Sequence, residues 1–209
     1  MLAWITGGDS RLGDGKRNSV WRVALFAVPL LGWAWLSCML IHEFGHVLAA
    51  WLTGGRLVLV DVRPFVFSTT LVEPNPMPSV VLWSGFLLGW LIALLAWPLW
   101  RVPVHLFGPV VKAWSAYCWL SMGSYLTLAM GERFSDTGLL LKLGWSPITL
   151  GCVGAVVAAL GYVAGKQAIE GMTVQIRQQG ISLRALVVVW ALFLGWWIVQ
   201  AILAGLLEF

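Results

Sequence analysis

Residues 23–52 read VALFAVPLLGWAWLSCMLIHEFGHVLAAWL, an apolar run broken only by the cluster from His42 to His46. A helix needs about 20 apolar residues to cross about 30 Å of hydrocarbon, so this run is longer than one crossing requires. Four further stretches share its character. Ser79–Trp100 follows the breaker Pro74-Asn75-Pro76-Met77-Pro78. Val110–Met130 carries Lys112 near its start, where a long side chain can snorkel to the interface. Ile148–Gly165 is shorter, and Ala185–Leu207 closes the set. The expected fold class is all-α, a polytopic membrane protein with about five transmembrane helices.

Composition points the same way. The 209 residues are 60% hydrophobic and 11% charged, against roughly half apolar and a quarter charged in an ordinary soluble domain. Mean hydropathy is +0.86. These figures exclude disorder, a fibrous repeat and a secreted disulfide scaffold. The pI is 9.3, yet the basic residues are scattered between apolar runs, so no nucleic-acid partner is expected and the bias reflects topology and anionic lipid. Cys38, Cys118 and Cys152 each lie inside an apolar run and read as small buried hydrophobes. The polar, Gly-rich first nineteen residues and the length of the first apolar run argue against a cleavable signal peptide. The expectation is an integral multi-pass protein of a bacterial plasma membrane, with the lipid bilayer as its surroundings.

Between the first two spans, residues 57–73 change style. Leu57–Arg63 is β-branched and partly alternating, Pro64 interrupts, and Phe65–Val72 resumes. Each piece has strand length and strand composition, which predicts a hairpin at the membrane surface; an irregular interfacial loop is the alternative. Small residues recur at helical spacing in the fourth span (Gly151/Ala155/Ala159, Gly154/Ala158, Gly161/Gly165) and the fifth (Ala201/Gly205), as close helix packing requires. Trp21, Trp51, Trp83, Trp97 and Trp100 fall near span ends, as in an aromatic belt. The organisation is a polar segment over 1–22, a core of three spans and the hairpin over 23–147, and two further spans over 148–209. Together they form one membrane domain.

His42-Glu43-Phe44-Gly45-His46 is an H-E-x-x-H sequence inside an apolar helix. Residues four apart lie one above the other on a helical face, so both imidazoles can reach one metal ion. Glu43 lies about 100° round from His42 and can address a water there as general base. A carboxylate in the middle of a transmembrane helix costs roughly 2.5–3.5 kcal/mol, and two of the chain's three histidines sit beside it. A structural His–Glu hydrogen-bond cluster is the competing reading. A haem held by both histidines is excluded, because axial ligands approach from opposite faces. Three protein ligands plus water is the usual catalytic zinc set, so a third ligand is required. Asp136 is the first candidate and Glu132 the second, ahead of Asp61, Glu73 and His105. Gly131 and Gly138 bracket Asp136 and are expected to break the helix there. If alternate spans run in opposite senses, His42, His46 and Asp136 fall in the same half of the bilayer.

The chain resembles the site-2 protease family of intramembrane zinc metalloproteases. The likeness is strongest at Ile41-His42-Glu43-Phe44-Gly45-His46-Val47-Leu48-Ala49-Ala50 and Thr53-Gly54-Gly55-Arg56. It continues through the hairpin, Ser84-Gly85 in the second span and an Asp-containing motif after the third, and covers roughly residues 20–145. The resemblance implies a three-helix catalytic core, zinc held by His42, His46 and Asp136, and Glu43 activating the water. It also implies a hairpin that receives an extended strand of substrate by β-augmentation. Departures are the absence of the family's Asn and Pro before the third ligand, the spacing Ser135-Asp136-Thr137-Gly138, and Gly85-Phe86 where the family has Gly-Pro.

The expected function is hydrolysis of a peptide bond in or near a transmembrane segment of a membrane-protein substrate. The alternative is a non-proteolytic metalloprotease-like subunit or scaffold of a larger membrane complex. A metal transporter needs acidic or His residues along a route through the membrane, and outside the cluster the spans hold none. Arg11, Lys16, Arg17, Arg22, Arg101, Lys112, Lys166, Arg177 and Arg184 fall on the N-terminal side, against Arg56, Arg63, Arg133 and Lys142 opposite. Positive-inside reasoning then puts the N-terminus in the cytoplasm and the site towards the outside. The family's site usually lies nearer the cytosol, so orientation stays open.

Overall fold

The computed structural model describes residues 18–64, 66, 68–102, 104 and 106–206. The positions Arg11, Lys16, Arg17, Phe65, Phe67, His105 and Leu207 discussed above lie outside that set. Helix α1 runs Asn18–Thr53, strands β1 and β2 cover Leu57–Asp61 and Thr69–Val72, and α2 spans Pro78–Ala96 before a 3-10 turn, Trp97–Arg101. Helix α3 is Phe107–Leu128 with a 3-10 turn Ala129–Gly131, α4 is the short Asp136–Lys142, α5 is Pro147–Gln179 and α6 is Leu183–Leu206.

The chain is an all-α polytopic membrane protein with a small antiparallel hairpin. Four of the described helices are long and apolar enough to cross a bilayer: Val20–Thr53, Pro78–Arg101, Pro147–Gln179 and Leu183–Leu206. The expected third span differs. Helix α3 has 22 residues, but Lys112 and several hydroxyl residues lower its hydropathy, so the five expected spans become four by length and composition. Helix α3 tolerates those hydroxyls because it is packed among its neighbours, with Trp114, Ser115, Cys118, Met122 and Leu126 all buried. Ser115 Oγ, for example, donates to the Ala93 carbonyl at 3.0 Å, which satisfies a polar group that lipid cannot.

The first core cluster joins Cys38 of α1, Leu82 and Phe86 of α2, Trp114, Met122 and Leu126 of α3, Leu140 of α4 and Leu150 of α5. A second cluster, Phe26, Leu30, Leu106, Ile181 and Val189, ties α1 to α6. Helix α1 ends at Gly54, whose φ is +78°, and Gly55 N–H donates to the Ala50 carbonyl at 2.8 Å. That is the left-handed glycine stop of a Schellman cap, and it turns the chain straight into β1.

Helix α5 is longer than its hydropathy suggests. It continues to Gln179 rather than ending at Gly165, because Lys166, Gln167, Ala168 and Glu170 are good helix formers that need no lipid. Two of its small-residue rows, Gly154/Ala158 and Gly161/Gly165, face α3, where a Cβ at Gly161 would strike the backbone of Leu120 and Ala116. A side chain at Gly154 or Gly123 would run into the opposite backbone, Gly123 O at 2.6 Å and Ala158 N at 2.5 Å respectively, while Ala155 and Ala159 are exposed. Gly123→Leu should therefore force α3 and α5 apart, costing about 1–3 kcal/mol or more; thermal unfolding in detergent measures this, and an unchanged midpoint would contradict the close crossing. Two expectations fail in the same region. Cys152 is exposed on α5, since the row including Leu150 and Gly154 takes the inner face. Ala201 is exposed and Gly205 has nothing near its missing side chain, so that pair makes no close helix crossing among the described residues.

Candidate metal site

Three ligand-type side chains converge where α1, α2 and α4 meet. His42 Nε2 lies 2.8 Å from Asp136 Oδ2 and 3.1 Å from His46 Nε2, and His46 Nε2 lies 3.3 Å from the same carboxylate oxygen. His42 and His46 are buried and Asp136 is partly buried. Among the described residues, His42, His46 and Asp136 form a group that can hold a metal ion.

Each side chain is placed for a local reason. His42 and His46 stack one helical turn apart, as their spacing requires. His46 Nδ1 lies 2.7 Å from the Val81 carbonyl of α2; a carbonyl only accepts, so Nδ1 carries a hydrogen, which leaves Nε2 as the nitrogen that would face a metal. Asp136 is the first residue of α4. Ser135 caps that helix, its Oγ accepting from Gly138 N–H at 2.9 Å, and the positive helix terminus favours the carboxylate beside it. Burial works to raise the Asp136 carboxyl, but its hydrogen bonds to His42 and His46 outweigh that and hold it well below the usual carboxylate range. A carboxylate and two imidazole nitrogens therefore share a small space, a set of donor atoms that suits a cation.

Helix crossing makes room for this. A Cβ at Gly45 would strike the Ser84 carbonyl and come within 2.8 Å of Gly85 Cα; one at Gly85 would sit 2.7 Å from His42 Cε1 and 2.8 Å from His46 Cε1. The Phe86 ring next to it is fully buried and packs edge-on to His42, with centroids 5.1 Å apart.

The other acidic candidates lie elsewhere. Glu132 and Glu73 are exposed, and Asp61 is held by Arg63, with Nη2 2.6 Å from Oδ2. Gly138 does not break a helix as expected: it lies inside α4, and a Cβ there would collide with the Glu132 carbonyl. The break falls between Leu128 and Asp136, in the 3-10 turn and the link after it.

Glu43 is 3% exposed and meets the hairpin. Ser68 Oγ donates to its Oε1 at 2.7 Å and Thr70 Oγ1 to its Oε2 at 2.6 Å. Neither hydroxyl was singled out by the sequence reading, although their spacing of two, the strand period, was a usable signal. The hairpin itself forms as expected, with Leu59 opposite Leu71 and Val60 opposite Thr70 and a bulge between Leu57 and Leu59, but its second strand begins only at Thr69. No family model, curated protein or solved structure matches this chain.

Proposed function

We propose that this protein is an intramembrane zinc endopeptidase of the site-2 protease type, cleaving a peptide bond in or near a transmembrane segment of another membrane protein. The observation that carries the reading is the convergence of His42 Nε2, His46 Nε2 and Asp136 Oδ2 beside a buried Glu43. Their separations of 2.8, 3.1 and 3.3 Å are close to the roughly 3.3 Å edge of a tetrahedron with bonds of about 2.0–2.1 Å. Bound there, zinc would lower the pKa of a water and polarise a peptide carbonyl. Glu43 would take a proton from the attacking water and deliver it to the leaving amide nitrogen.

A groove of about 670 Å³ runs between α1 and α2, lined by Leu48, Leu52, Val80, Trp83 and Leu87, with Gly45 and Ser84 among its walls. It offers an apolar segment a place within one helical turn of His46, which supports a substrate that arrives from the lipid. The non-proteolytic scaffold reading draws on one observation, the engagement of both Glu43 oxygens by hairpin hydroxyls, as a structural cluster would show.

The test joins metal content to cleavage. The purified protein is expected to carry about one zinc per chain and to cut a reconstituted transmembrane substrate. Asp136→Ala should weaken zinc binding by more than the roughly 10–100-fold caused by losing a group that merely orients a ligand. Glu132→Ala should leave zinc unchanged. Zinc retained by Asp136→Ala contradicts the ligand assignment, and a zinc-loaded protein that cuts nothing supports the scaffold.

A further inference from the structure

We infer that Glu43 is also the anchor that docks the hairpin onto α1, so that the seating of β2 and the orientation of the Glu43 carboxylate are one event, with Ser68 and Thr70 as positioning residues. The docking stands on geometry alone; its catalytic consequence rests on the peptidase reading.

The two ends of the hairpin meet α1 through different contacts. At the base, Leu57 and Val72 pack against Ala49, Ala50 and Val81, and bonds between Arg56 and both Glu73 and Pro74 extend the ladder. At the other end Val60 and Val62 are buried, and among the described residues the side-chain hydrogen bonds from the hairpin to α1 are those of Ser68 and Thr70 to Glu43. Thr69, between the two donors, is exposed, as strand alternation demands. Seen from Glu43 the arrangement is equally telling. No Lys or Arg ion pair reaches this carboxylate among the described residues, so the two hydroxyls are the donors that compensate its burial. Each carboxylate oxygen has a second lone pair, so docking sets the plane of the group and leaves it able to accept from a water. Lifting the hairpin removes both donors and the fixed direction together.

Hydrogen exchange on the full chain in detergent tests the docking. In Glu43→Ala, and in a Ser68→Ala/Thr70→Val double variant, amides at 60–61 and 69–70 should exchange about tenfold faster or more, while those at Leu57 and Val72 stay within about twofold. Thr70→Ser, which keeps the hydroxyl, should match the wild type. Unchanged exchange at 69–70 overturns the docking, and so does uniform acceleration through the hairpin and α1. In the cleavage assay, the double variant should lose kcat with zinc content intact and Thr70→Ser should restore it; a change confined to KM overturns the positioning role. A protein that shows the exchange pattern yet cleaves nothing refutes the peptidase reading alone. One that cleaves while exchange is unaltered refutes the docking alone.

Discussion

Glu43→Gln should reduce peptide cleavage by at least the roughly 10²–10⁴-fold that a general base contributes, while the helices, the hairpin and the metal content stay as they are. The substitution is nearly isosteric, which matters at a side chain only 3% exposed. Its amide keeps an oxygen acceptor for one hairpin hydroxyl. The other hydroxyl can rotate to accept from the amide nitrogen, because Ser and Thr hydroxyls both donate and accept. The neighbouring ligands lose nothing, since His46 Nδ1 is satisfied by Val81 and Asp136 by the two imidazoles. Burying a neutral amide also costs less than burying a carboxylate, so thermal stability should hold or rise. What disappears is a carboxylate able to take up a proton from water. Cleavage of a reconstituted transmembrane substrate, measured beside zinc content and a melting curve, separates these effects. Normal turnover by the variant would remove Glu43 from the chemistry; loss of zinc together with activity would mean that the residue holds the site rather than works in it.

The helices could be read from the sequence because lipid imposes a single rule, that every backbone group be satisfied within its own segment. Long apolar runs obey it visibly. The rule fails to mark ends where a helix leaves the bilayer, so α5 continues through Lys166 and Glu170. It also undervalues α3, whose hydroxyls are satisfied by neighbours that hydropathy does not see. The spacing of His42 and His46 carries its meaning locally, through one turn of helix. Asp136 could be nominated by elimination, but the geometry that brings it 94 residues back to His42 depends on the cap at Ser135 and on the crossing of α1 and α2. Ser68 and Thr70 were hidden for another reason: strand alternation says that they share a face, not what that face meets. Small-residue rows show the limit most plainly. Gly154 and Gly205 look alike in sequence, yet of the two Gly154 alone finds a backbone opposite among the described residues.

Gly85 is where the fold and the site make the same demand, and Gly85→Ala should show it with a single methyl group. The added Cβ would stand 2.7 Å from His42 Cε1, 2.8 Å from His42 Nδ1 and 2.8 Å from His46 Cε1, closer than van der Waals contact allows. Neither ring can yield cheaply. His46 is pinned by its bond to Val81 on the same helix as Gly85, and His42 is flanked by the rings of Phe86 and Tyr125, with centroids at 5.1 and 6.1 Å. Moving α2 outward instead would open the contact of Gly45 with Ser84 and Gly85. Overpacking of this kind costs about 1–3 kcal/mol, and whichever response wins, the two Nε2 atoms leave their positions around Asp136. Zinc affinity should fall by about 100-fold or more, at the upper end of what misorienting ligands produces, and cleavage should fall with it. Leu87→Ala provides the control, since Leu87 is 53% exposed on the lipid-facing groove and should retain zinc. Circular dichroism of both variants would establish that the helices remain. A Gly85→Ala protein that binds zinc as tightly as the wild type would show that the imidazoles and the metal do not depend on this close crossing. The site would then owe its shape to α1 and α4 alone.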